Sequence, residues 1–216
     1  MNKEYKSIVV MNTLTREYFE IVRKVGEDCD DFYSLPGSRV IMLTEDGYLL
    51  MYKYDKQKMT SKLISKIHFK LSEERKEVAI TMCVCPKNEI VAVVTRVKRL
   101  YHISRVFLFR IDDPRLEKPN IARMAELDLY DKSTIYFCAM TFYKYINNAL
   151  ILTGMTRDKN SKVITLIYDG KEFKEYHHLR AQTSAVNPRK IVMTGEDIIG
   201  ADDLGKVFAI KYIYGE

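Results

Sequence analysis

A seven-residue apolar strand, spelled four times, constrains this chain more than any other feature. Leu49-Leu50-Met51-Tyr52-Lys53-Tyr54-Asp55 and Val106-Phe107-Leu108-Phe109-Arg110-Ile111-Asp112 are the first two copies. Val163-Ile164-Thr165-Leu166-Ile167-Tyr168-Asp169 and Val207-Phe208-Ala209-Ile210-Lys211-Tyr212-Ile213 are the others, and all four align without a gap. The first position is always aliphatic, the sixth is Tyr or Ile, and the seventh is Asp in every copy but the last. Successive copies begin 57, 57 and 44 residues apart. A single short apolar run is ambiguous between strand and buried helix, but four in phase are not. Spacings of this order mark folds built by repeating one supersecondary unit.

Each copy brings similar neighbours. A shorter apolar strand precedes it, as in Val40 to Thr44, Ile90 to Thr95, Ala149 to Gly154 and Asp197 to Ala201. The connections include Glu45-Asp46-Gly47 and Asp202-Asp203-Leu204-Gly205, and Gly and Asp accept the positive φ that tight hairpins require. A more amphipathic strand follows three of the copies, at Thr60 to Phe69, Ile121 to Leu129 and Phe173 to Leu179. A fourth segment stands ahead of the hairpin, as in Val78 to Cys85 and Thr134 to Phe142. Together these make a four-stranded antiparallel unit repeated along the chain. The expected architecture is all-β, a propeller-like array in one domain over residues 1–216. Its units fall at roughly 32–70, 78–129, 130–180 and 190–216, and the strands within 7–25 belong to an incomplete unit.

The order of elements resembles the WD-repeat β-propeller family. Tyr54-Asp55, Ile111-Asp112 and Tyr168-Asp169 stand where that family places its Trp-Asp pair, and Asp46 and Asp203 where it often carries a turn aspartate. The chain departs from the family in having no Trp and no Gly-His dipeptide, and Ile213 stands where the fourth Asp is expected. The resemblance implies blades around an axis and a protein-docking role. By strand order, Asp55, Asp112 and Asp169 are expected to accept hydrogen bonds from the turn that follows each strand, a structural role. The strands add up awkwardly for a closed ring. Either the N-terminal strands pair with the last three, or the ring is completed by further blades or by another chain.

Composition bounds the function. With 216 residues and 47% hydrophobic content the chain can bury a sizeable core. A formal charge of +6 is compatible with nucleic acid or acidic partners without arguing for them. The four cysteines, at 29, 83, 85 and 138, form no spaced disulfide framework. Reduced thiols, no signal-peptide pattern and no apolar run near the roughly 20 residues a membrane span needs lead us to expect a cytoplasmic or nuclear protein with no membrane contact.

The sequence supplies no catalytic set, no cofactor motif and no metal site. Cys83 and Cys85 are two apart on a strand and share a face, yet no second ligand pair follows at zinc spacing. His177 and His178 are strand neighbours that face opposite sides. Serine-hydrolase elbows, phosphate-binding glycine loops and zinc-protease helices are all missing.

The stretch that invites recognition is the longest hairpin, Arg96 to Arg105, in which fixed charges flank Leu100 and Tyr101. Arg96, Lys98, Arg99, Tyr101 and His102 are the candidate partner-binding residues there. Arg157 and Lys159 of the next unit's hairpin are expected on the same rim. The acidic hairpins at Asp46 and at Asp202-Asp203 would make that face basic on one side and acidic on the other. Arg and Tyr are over-represented in binding hot spots, and basic residues interleaved with aromatics also suit nucleic-acid strands. The expected function is a non-enzymatic protein-interaction scaffold within a larger intracellular assembly. A nucleic-acid-associated subunit using the basic hairpin face is the alternative.

Overall fold

The computed structural model describes residues 8–11, 14–21, 29–85, 87, 89–98, 102–113, 116–130, 135–143, 148–156, 161–176, 188–194, 197–202 and 204–210. All regular structure among them is β. A hairpin, β1 (Ile8–Met11) and β2 (Tyr18–Ile21), precedes the first sheet of β3 (Cys29–Leu35), β4 (Arg39–Thr44), β5 (Tyr48–Asp55) and β6 (Thr60–His68). The second sheet holds β7 (Glu77–Val84), β8 (Ile90–Val97), β9 (Ile103–Ile111) and β10 (Ile121–Asp128). The third holds β11 (Ile135–Phe142), β12 (Ala149–Thr156), β13 (Ser161–Tyr168) and β14 (Phe173–Tyr176). The fourth is three-stranded, with β15 (Pro188–Thr194), β16 (Asp197–Asp202) and β17 (Val207–Ile210). Each sheet is an antiparallel meander in chain order.

The repeated heptads supply the third strand of every sheet, in β5, β9, β13 and β17. They read as continuous apolar runs because each inner sheet is covered on both faces. In the second sheet, Val91, Val93, Phe107 and Phe109 pack on Ile41, Leu43, Leu49 and Met51 of the first. The alternate residues Ala92, Val94, Val106 and Leu108 pack on Leu150, Leu152, Ile164 and Leu166 of the third. Period-two alternation is therefore present, but both of its phases are apolar. Phe69, just past β6, fixes the first interface, with its ring centroid 5.1 Å from that of Phe107 and 5.2 Å from that of Phe109.

The innermost strands β3, β7, β11 and β15 lie side by side in that order, and the outer strands β6 and β10 are neighbours too. The sheets thus follow one another as propeller blades do, and the array is open. The N-terminal hairpin pairs only within itself among the described residues, with β2 beside β6. Among the described residues it pairs with no strand of the fourth sheet.

The fourth sheet shows what an open end looks like. Ile191, Ile198 and Phe208 are buried against Ala139, Tyr143, Ala149 and Ile151 of the third sheet. Gly200 permits this close approach: a Cβ there would lie 2.4 Å from the Phe208 ring and 2.7 Å from Ile191 Cγ2. On the opposite face, Val192 is 47% exposed and Val207 76% exposed, with Ala201 and Ala209 also exposed. That face is apolar in sequence but uncovered among the described residues.

Candidate partner-binding face

Two hairpins at one end of the strands build the face that the sequence singles out. The β4–β5 hairpin is short. The Thr44 hydroxyl donates to the Asp46 carboxylate and accepts from the Tyr48 N–H at 2.9 Å. Gly47, at φ 90°, lets the chain turn where any Cβ would meet the Phe69 carbonyl oxygen at 2.7 Å. The β8–β9 hairpin is anchored by the Val97 N–H donating to His102 O at 3.0 Å and the Lys98 N–H donating to Lys76 O at 3.1 Å.

The two hairpins touch. Lys98 Nζ lies 2.8 Å from Glu45 Oε1, joining the basic hairpin of the second sheet to the acidic hairpin of the first. Acid and base therefore meet along the rim, where the sequence reading set them on opposite sides of the face. Asp202, the described member of the other acidic pair, is buried, and its carboxylate accepts the N–H groups of Leu204 and Lys206 at 2.9 Å. It builds its own hairpin and adds no charge to the surface.

Beneath the basic hairpin lies a network of buried charge. The Glu77 side chain has no exposed surface, and that of Arg105 is 12% exposed. The Arg105 guanidinium donates through Nε to both Glu77 oxygens, at 2.9 and 3.0 Å, and through Nη2 to Oε2. Glu77 also accepts from the Thr95 hydroxyl and, at 2.8 Å, from the Ser72 N–H. Arg105 continues to Glu126 at 2.8 Å and to Lys70 O at 3.1 Å, and its guanidinium stands 4.7 Å from the Phe107 ring centroid. Burial alone would raise the Glu77 carboxyl, but the bonds from Arg105, Thr95 and Ser72 outweigh it and hold the group below its ordinary range. Burial opposes the charge on Arg105 as well, and its bonds to Glu77 and Glu126 more than restore it.

Of the cations between positions 96 and 105, Arg105 is thus committed inward, and Lys98 is paired to Glu45 at the rim. Arg96 lies within β8, half-buried, opposite Ile103, and His102 is half-buried where the hairpin re-enters the sheet. Arg99, Tyr101, Arg157 and Lys159 lie outside the described residues.

The aspartates that end the repeated strands lie at the other end of the sheets. Asp55 accepts the N–H groups of Gln57 and Lys58 at 2.9 and 3.1 Å, and Asp169 those of Lys171 and Glu172 at 3.0 Å each. Asp112 enters a longer loop, where its own N–H donates to Asn120 O at 3.0 Å. Lys174, 2.6 Å away, and the turn N–H groups hold the Asp169 carboxyl far below the usual range. The Lys58 and Gln57 N–H groups lower that of Asp55.

Sequence reasoning missed Glu77 and Arg105 as a pair. The available signal was a charge embedded in an apolar strand, with Glu77 heading Val78 to Val84 and Arg105 set between Ser104 and Val106. Cys83 sits in the apolar core between the second and third sheets, and Cys85 Sγ accepts the Ile90 N–H at 3.2 Å. Among the described residues no three His, Cys, Asp or Glu side chains are grouped to hold a metal ion. No helix among them is long and apolar enough to cross a membrane.

No protein-family model and no curated protein sequence matches this chain. Solved structures do match in shape. The β-propeller domain of Cps50 (Swd1) from Myceliophteria thermophila superposes with a TM-score of 0.56 at 8% identity, over 87% of this chain and 51% of that one. Sqt1 of Saccharomyces cerevisiae matches at 0.59 and 8% identity, over 97% and 53%. Hydrazine synthase of Kuenenia stuttgartiensis matches at 0.59 and 10% identity, over 90% and 55%. The chain spans about half the length of each structure it matches. It carries a β-propeller fold, as an open array of three four-stranded sheets and one three-stranded sheet among the described residues.

Proposed function

We propose that this chain is a non-enzymatic docking platform for protein partners inside a larger intracellular assembly, and that it engages them through the β4–β5 and β8–β9 hairpin face. The observation that carries this reading is the buried Glu77–Arg105 pair, which fixes the base of the β8–β9 hairpin. The Lys98–Glu45 bridge adds a joint between adjacent sheets, so the two hairpins form one surface. A rigid surface loses less entropy on binding, and Arg and Tyr, which the sequence sets between Lys98 and His102, are the residue types that anchor interfaces. The fold does not decide the matter, since the same architecture occurs in hydrazine synthase. The apolar outer face of the fourth sheet is where completing blades would pack, whether from the same polypeptide or from another chain.

The test is capture of partners by the parent and by a variant with Arg96, Lys98, Arg99 and Tyr101 replaced by Ala. We expect loss of partner recovery with cooperative melting retained. Unchanged recovery by the folded variant would overturn the docking face. Retention of the parent on RNA with a steep salt dependence, in the absence of protein partners, would favour the nucleic-acid alternative.

A further inference from the structure

We propose that the cleft between the first and second sheets, at the end of the strands away from the hairpin face, is a binding site for a phosphorylated peptide segment. The cleft encloses about 580 Å³ and receives Lys53, Lys56 and Lys62 from the first sheet and Lys118 from the loop after β9. Asp55 and Glu117 also line it, and the Asp55 carboxylate is already engaged by two turn N–H groups. The side chains of Lys56, Lys62 and Lys118 make no hydrogen bond or ion pair among the described residues.

The strand register makes the arrangement costly without a ligand. Arg39 on β4 stands opposite Lys53 on β5, and Lys53 opposite Lys62 on β6, so three cations form one cross-strand row. Like charges directly opposed on a sheet are destabilising. The bulge at Ile64 sets this register: Met51 pairs with Ser65 while Tyr52 pairs with Leu63, which turns Lys62 onto the face of Lys53. Arg39 turns its guanidinium to backbone carbonyls, donating to Leu116 O at 2.8 Å and Pro36 O at 3.4 Å, and this holds the second sheet's loop against the cleft. A dianionic phosphate between Lys53, Lys62 and Lys118 would remove the repulsion and gain charge-assisted hydrogen bonds. A peptide fits better than a free polyanion because the lining includes Ile64, and Leu116, next in the chain to the lining residue Glu117, is 51% exposed.

This site is separate from the hairpin face, so the two can fail independently. The probe is a short fluorescein-labelled peptide with two phosphoserines and one leucine, together with its unphosphorylated twin, followed by anisotropy. The phosphorylated probe should bind and the twin should not. Lys53→Met with Lys62→Met should weaken binding by about tenfold or more, the usual worth of charge-assisted bonds. That double variant should also melt at or above the parent temperature, because the opposed charges are gone. Lys206→Met, far from the cleft, should match the parent. Four results would each overturn the proposal: no binding, equal binding of the twin, equal weakening by Lys206→Met, or displacement by tripolyphosphate at lower concentrations than by unlabelled phosphopeptide.

Discussion

Lys190, on the innermost strand of the last sheet, places its ammonium 2.8 Å from the carboxylate of Asp31 on the innermost strand of the first. The two residues are 159 positions apart. The same Asp31 oxygen accepts the Thr81 hydroxyl at 2.9 Å and the Met82 N–H at 3.0 Å, so one carboxylate ties the inner strands of three sheets. Lys190 also stands 4.6 Å from the Tyr33 ring centroid. Burial would lower the Lys190 ammonium, but Asp31 outweighs it and raises it, while burial raises the Tyr33 hydroxyl. A raised lysine contributes stability that is complete below its ordinary value of 10.5 and is lost as pH rises through the folded value. At neutral pH the contribution is therefore whole.

Unequal losses should follow when the two partners are removed. Lys190→Met deletes one ion pair whose lysine side chain is 40% exposed, and water screens part of its worth. Asp31→Ala deletes that pair and also strands the Thr81 hydroxyl and the Met82 N–H. Denaturant melts should show a loss of up to about 1 kcal/mol for the lysine variant. The aspartate variant should lose roughly 2 to 4 kcal/mol. Equal losses would show that Thr81 and Met82 do not depend on Asp31.

Acid should act through Glu77. Its carboxyl is held below the ordinary value of 4.5, so it contributes stability above that value and loses it as pH falls through the folded one. Glu77→Gln should cost on the order of 3 kcal/mol at pH 7, since it leaves the Arg105 charge in a buried site with fewer acceptors. The variant's melting temperature should also vary less between pH 5 and pH 3 than the parent's. A parallel dependence in both proteins would place the acid sensitivity in other carboxylates.

The aspartates that end the repeated strands should separate into two groups. Asp55→Ala and Asp169→Ala each remove an acceptor for two turn N–H groups and should lower the melting temperature. Asp112→Ala should leave it nearly unchanged, because the contact described there uses the backbone N–H, which alanine keeps. Three equal shifts would contradict this division.

The legible and illegible parts of this molecule differ in range. The third strand of every sheet could be read because its heptad recurs with the same flanks, from Leu49 to Val207. Hairpin chemistry at Asp46-Gly47 and Asp202 was equally local. The Lys190–Asp31 pair was not legible, since its partners lie 159 residues apart and meet only once the sheets are arrayed, and Glu77 and Arg105, 28 residues apart, meet across β8 only once the second sheet has formed. The role of Lys98 was half legible. Its charge and its hairpin were visible, but its partner Glu45 comes from the neighbouring sheet. The row of Arg39, Lys53 and Lys62 needed the register, and the bulge at Ile64 that sets it carries no sequence mark.

Hydrogen–deuterium exchange of the chain, free and bound to a captured partner, tests the docking role most directly. The account predicts that binding slows exchange in peptides covering Arg96 to Arg105 and Glu45 to Gly47, with little change elsewhere. Protection confined to β17 and the apolar outer face of the fourth sheet would contradict it. That result would make completion of the open ring, and not the hairpin face, the mode of partner binding.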